Sequence, residues 1–97
     1  MQNRTIINYL IKKGLKPNHD GFWYLHDAVQ IVIDNNNVVP KLTTDMFVII
    51  AKDYDKKWQN IERGIRYIRQ SCKDLKLKYM TNSEFISYIA LEISMMK

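Results

Sequence analysis

Ile61-Glu62-Arg63-Gly64-Ile65-Arg66-Tyr67-Ile68-Arg69-Gln70-Ser71-Cys72 is the stretch from which the rest of the chain can be placed. Ile61, Ile65, Ile68 and Cys72 recur at the i, i+4, i+7, i+11 spacing of a helix lying on an apolar core. At about 100° per residue, Gln59, Arg63, Arg66 and Gln70 then centre on the opposite side. Side chains of these types read base edges in a major groove, because Arg pairs bidentately with guanine and Gln with adenine. A shorter helix, from Thr43 or Thr44 as N-cap to about Tyr54, precedes it across the turn Asp55-Lys56-Lys57. The spacing predicts a helix-turn-helix whose second helix runs from Lys57 to Asp74.

The composition fits a binding domain. Ninety-seven residues, 46% of them hydrophobic, make one domain with a single modest core. The net charge is +5 and the pI about 9.4. Residues 52–79 alone hold nine Lys/Arg against four Asp/Glu. The basic excess therefore gathers around the arginine-bearing helix, as a phosphate-binding footprint requires. One cysteine, Cys72, excludes an internal disulfide, and its place in the apolar stripe marks a buried thiol. With no signal-peptide run and no apolar stretch of about 20 residues, a cytoplasmic protein without a membrane span is expected.

The remaining segments also read as helices. Ile6, Ile7, Leu10 and Ile11 give a helix over Arg4–Lys13, closed by Gly14. Leu15–Gly21, with Pro17, Asn18, Asp20 and Gly21, reads as a structured loop that His19 and Gly21 fix against Tyr24 or a neighbouring backbone group. Phe22, Leu25, Ala28, Val29, Val32 and Ile33 predict a helix from Phe22 to Asp34. Val29–Ile33 is β-branched enough for a strand, but the 3.6-residue period favours helix. Asn35–Asn37 ends it, and Val38-Val39-Pro40 is expected to be extended. Lys73–Lys78 reads as a polar connection. Thr81-Asn82-Ser83-Glu84 is a capping box, opening a last helix that Phe85, Ile86, Ile89, Ala90, Ile93 and Met96 make strongly amphipathic. The expected architecture is all-α: about five helices in one domain spanning residues 1–97, containing a helix-turn-helix.

Three blocks, in order, resemble the C-terminal DNA-binding effector domain of the sporulation initiation response regulators of endospore-forming bacteria, the stage zero sporulation protein A family. Pro17-Asn18-His19-Asp20-Gly21-Phe22-Trp23-Tyr24-Leu25-His26-Asp27-Ala28 resembles its Pro-x-His-x-x-Gly-Tyr-x-Tyr-Leu-x-x-Ala run. Ile61-Glu62-Arg63-Gly64-Ile65-Arg66 resembles Val-Glu-Arg-Ala-Ile-Arg, and Thr81-Asn82-Ser83-Glu84-Phe85-Ile86 repeats Thr-Asn-Ser-Glu-Phe-Ile. The resemblance implies a transcriptional regulator that docks its recognition helix in a promoter major groove, with Glu62, Arg63 and Arg66 at bases or phosphates. Glu62, four residues before Arg66, has the alternative role of holding that guanidinium in place.

The departures are specific. Gln59-Asn60 stands where the family usually has Ser-Arg, Tyr67 where it has His, and the connection before the last helix is shortened. The family's phosphoacceptor receiver domain has no counterpart in this sequence, so control by phosphorelay is not expected. Base contacts are therefore expected from Gln59, Asn60, Glu62, Arg63, Arg66, Tyr67 and Gln70. Phosphate contacts are expected from Lys56, Lys57, Arg69, Lys73, Lys76 and Lys78, which position the protein without specifying sequence. The expected partner is double-stranded DNA, bound by a homodimer by analogy. A rival reading is an interaction module of the same fold that binds a regulator or RNA polymerase, with Ile93, Met95 and Met96 as its surface.

Other chemistry finds little support. His19, Asp20, His26, Asp27 and Cys72 lack metal-ligand spacing, and no cofactor motif or catalytic constellation is present, so neither a metal, a cofactor nor an enzyme is expected. Phe22, Trp23, Tyr24, Phe47, Tyr54 and Trp58 fall mostly at core spacing. Trp23 and Trp58 are the two least committed to the core.

Overall fold

The computed structural model describes residues 2–38 and 43–96, among which there are six helices and no strand. The first, α1 (Arg4–Lys12), is capped by Asn3, whose Oδ1 accepts from the amides of Thr5 and Ile6 at 3.0 and 3.3 Å. Gly14, at φ +87°, turns the chain so that Leu15 folds back into the core. Ile6 and Leu10 are fully buried, but Ile11 is 47% exposed, against expectation. Tyr9 takes the inward place instead, because its hydroxyl has a carboxylate to reach on the last helix.

The second helix, α2 (Asp20–Asp34), begins two residues earlier than the loop-forming residues suggested. His19 is extended and leaves Asp20 in the first turn, where a carboxylate suits the helix dipole. Phe22, Tyr24, Leu25, His26, Ala28, Val29 and Val32 are all buried, so this helix is the hub of the core. Val29–Ile33 is helical, and the strand alternative falls, because α2 is enclosed by helices on several sides. Asn36 and Asn37 close the helix at φ 57° and 64°, the left-handed region that Asn tolerates. The expected extended segment at Val39-Pro40 lies outside the described residues.

α3 (Thr43–Tyr54) already includes Thr43 as a helical residue and buries Met46, Phe47, Ile50 and Ala51. Asp55, at φ 54°, reverses the chain into α4 (Trp58–Gln70). The fourth helix stops at Gln70 rather than Asp74. Asp74 instead caps a one-turn helix, α5 (Leu75–Lys78), by accepting from the Lys76 amide at 2.9 Å. Buried Leu77 anchors that turn, so the lysine-rich connection carries a sixth helix.

α6 (Asn82–Met95) opens on the expected capping box: Thr81 Oγ1 accepts from the Glu84 amide at 3.1 Å, and Glu84 Oε1 from the Thr81 amide at 2.9 Å. Phe85, Ile86, Ile89, Ala90 and Ile93 are buried, whereas Met96 is 59% exposed because the helix ends before it. α2 packs chiefly on α4 and α6, and α3 on α4, so the helix-turn-helix of α3 and α4 rests on the other helices.

Two polar networks tie the elements together. The amide of Asn3 donates to His26 Nε2 at 2.8 Å, which places the ring proton on Nδ1, 2.8 Å from Asp27 Oδ1. Tyr54 donates to the other oxygen of Asp27 at 2.7 Å. Burial, and then this hydrogen bond, push the Tyr54 hydroxyl well above the ordinary phenol range.

In the second network, Glu92 accepts from Tyr9 and from Tyr88, with Lys13 at 3.8 Å. These two hydroxyl hydrogen bonds hold the Glu92 carboxyl below its usual range. A group with a lowered folded pKa contributes stability that is present above its unfolded value, about 4.3, and lost as the pH falls through the folded one. Thermal melts of wild type and Glu92→Gln should therefore differ most near neutral pH and converge in acid. A constant difference across the pH range would show that the carboxylate's charge is irrelevant.

Candidate nucleic-acid interface

α4 is fixed on its inner side by Ile61, Ile65 and Ile68, each at most 1% exposed. Cys72, just past its end, is buried too, and burial raises its thiol pKa, so little reactive thiolate forms. On the outer side Gln59, Asn60, Arg63, Arg66, Tyr67 and Gln70 are exposed. One helix thus shows a sealed back and a polar, cationic front.

Its two flanks are held differently. On one flank α2 and α4 cross at Gly21 and Gly64, where a Cβ on Gly21 would lie 2.2 Å from the Gly64 carbonyl oxygen and 2.6 Å from Ile68 Cγ1. Only a residue without a side chain lets the backbones come so close. Above this crossing opens a recess of about 370 Å³ lined by His19, Asp20, Gly21, Tyr24, Lys56, Asn60, Arg63, Gly64 and Tyr67. The His19 and Tyr67 rings meet there at 5.7 Å, so His19 faces Tyr67 rather than Tyr24. Tyr24 packs edge-on against Tyr54, at 5.0 Å.

The other flank meets the α5–α6 turn. Arg69 donates from Nε to Asn82 Oδ1 at 3.1 Å and from Nη1 to the Lys78 carbonyl at 2.6 Å. Arg69, one of the expected phosphate contacts, is therefore already hydrogen-bonded within the fold. Glu62 Oε1 lies 3.3 Å from Arg66 Nη1, an i,i+4 pair with both side chains part-exposed. In this geometry Glu62 steadies the arginine, worth about 0.3–0.5 kcal/mol for a surface pair.

Lys56, Lys57, Lys73 and Lys76 are exposed and Lys78 half-buried. The Lys76 ammonium sits over the Tyr88 ring, 5.2 Å from its centroid. Asn60 Oδ1 accepts from the Lys57 amide at 3.3 Å, so this side chain helps start the helix as well as facing outward. Trp58 is half-buried against the core, sealing the helix-turn-helix. Trp23 donates its indole N–H to the Pro17 carbonyl at 2.8 Å, which ties down the loop before α2.

Sequence reasoning missed three contributors: Gly21 and Gly64 as a pair, and Asn82. Glycine reads as a loop or helix breaker until its neighbour across the fold is known. Asn82 sat inside a motif fully explained by its capping residues. Among the described residues no three His, Cys, Asp or Glu side chains converge on a possible metal position, and no helix is long and apolar enough to cross a membrane.

The family model described as sporulation initiation factor Spo0A C terminal matches residues 6–76. That span runs from α1 into α5 and takes in the helix-turn-helix, while Thr81–Ile86 lies beyond it. With most of its length inside that match, the chain belongs to the Spo0A C-terminal family, the DNA-binding domains of a sporulation regulator.

Proposed function

We propose that this chain is a sequence-specific regulator of transcription that binds double-stranded DNA by laying α4 in a major groove. The observation that carries the reading is the outward face of α4, where Arg63 and Arg66 stand exposed on a helix whose back is sealed. Arg63 and Arg66 supply discrimination through guanine edges, with Gln59, Asn60, Tyr67 and Gln70 as further base contacts. Glu62 acts at cytosine or through Arg66. Lys56, Lys57, Lys73, Lys76 and Lys78 supply attraction to phosphates on either side, and Arg69 adds what its remaining nitrogen can reach. Such binding is non-covalent and needs no metal. A lone recognition helix binds weakly, which favours a homodimer on DNA.

Selection from a random duplex pool, followed by salt titration of the recovered sequence, tests this reading. A motif should emerge, and log affinity should fall with log salt at a slope of about −4 to −5, as expected for about five phosphate contacts. No enriched motif together with a flat salt response would sink it.

Met95 and Met96 are exposed near the end of α6 together with Leu91, while Ile93, expected beside them, is buried in the core; this surface favours a second reading, an interaction module that docks a regulator or RNA polymerase. The same selection separates the two, because such a module enriches no sequence.

A further inference from the structure

Asn82 is the first helical residue of α6, and its side chain turns toward α4. Its Nδ2 donates to the Glu62 carbonyl at 3.0 Å, while its Oδ1 accepts from Arg69 Nε at 3.1 Å. Glu62 and Arg69 are seven residues apart, about two turns along one flank of the helix. A single amide therefore grips α4 at two levels. Apolar packing through Ile61, Ile65 and Ile68 decides which side of α4 faces inward, but it is non-directional and leaves rotational play. Hydrogen bonds of these lengths are directional and remove it. The Gly21–Gly64 crossing bounds the opposite flank, so α4 is held from both sides.

We infer that Asn82 is a positioning residue for DNA recognition: it fixes the rotation of α4 about its own axis, and with it the direction in which Arg63 and Arg66 leave the body. The inference rests on the DNA-binding reading above. Recognition side chains must be held within about 10–20° of their working geometry, and two directional hydrogen bonds on one flank add that constraint to the one packing supplies. The capping box at the start of α6 uses Thr81 and Glu84 and does not need the Asn82 side chain.

The test compares wild type, Asn82→Ala and Asn82→Asp on the selected duplex and on random duplex at one salt concentration. Asn82→Asp keeps an oxygen for Arg69, loses the donor to Glu62, and suits the first turn of a helix. The ratio of selected to random affinity should fall about tenfold in Asn82→Ala and by an intermediate factor in Asn82→Asp. Random-duplex affinity and its salt slope should not change in Asn82→Ala, because every lysine is intact and the net charge is the same, whereas Asn82→Asp adds one negative charge and is read by the ratio alone. Melting temperatures are followed in parallel, and if Asn82→Ala does not fold, Asn82→Asp decides. A wild-type ratio in the folded variants, whatever their melting temperatures, overturns the positioning role and leaves the DNA reading standing. If wild type itself discriminates no duplex, the DNA reading fails and this inference falls with it.

Discussion

Gly21→Ala should cost about 3 kcal/mol or more, the upper range for overpacking a tight interior, and lower the melting temperature by roughly 12 to 24 °C. The added methyl would sit 2.2 Å from the Gly64 carbonyl oxygen and 2.8 Å from its carbon. Both are backbone atoms inside a helix, with no rotamer to escape into. α2 and α4 must separate, and because α2 is the hub of the core, that separation opens it. Gly64→Ala provides the internal comparison. Its methyl would meet the edge of the Tyr24 ring at 2.7 Å, a side chain that can tilt, and it gains the helix preference of Ala over Gly, about 1 kcal/mol. Gly64→Ala should therefore lose clearly less than Gly21→Ala. Circular dichroism melts of the two variants check this, and a Gly21→Ala protein melting within a few degrees of wild type would refute the close crossing.

Replacing Arg63 and Arg66 together with Ala should reduce affinity for the selected duplex by about 30-fold to 10⁴-fold. Each bidentate contact contributes roughly 1 to 3 kcal/mol of discrimination, and 1.4 kcal/mol is about tenfold. The two lie one turn apart, so their effects need not add, and the lower end applies if they share a base step. Removing Arg66 also frees Glu62 from its ion pair and leaves an unbalanced carboxylate facing the phosphates. Stability should hardly move, within about 0.5 kcal/mol, because both guanidinium groups are on the surface. Fluorescence anisotropy on selected and random duplexes checks the prediction. An equal loss on both would assign the arginines to general attraction rather than reading.

These two results would come from residues of very different legibility. The arginine face could be read from period alone, since Ile61, Ile65, Ile68 and Cys72 fix the wheel and the opposite side follows. The capping box at Thr81 was equally plain, because hydroxyl and carboxylate three residues apart satisfy amides that every helix start leaves open. Local pattern says nothing, however, about what lies across an interface. Gly21 read as a turn former beside Asn18 and Asp20, yet it sits in a helix at the closest backbone approach. Arg69 lay on the edge of the wheel with nothing to show that Asn82 and the Lys78 carbonyl would accept hydrogen bonds from it. Ile11 kept helical spacing and still faces outward, because the core is finite and a helix offers it only part of its girth, while Met96 lies past the end of α6. Leu77 was hidden among lysines, and one buried side chain was enough to nucleate a turn there.

The His26 relay gives the amino end of the chain mechanical purchase on the helix-turn-helix. Counting from the Asn3 amide, three hydrogen bonds through an imidazole and a carboxylate arrive at Tyr54, the final residue of α3. None of the three contains a long, slack side chain that could absorb a pull. Whatever is joined ahead of Asn3, whether a tag or a fusion partner, therefore sits one short polar relay away from the turn between α3 and α4.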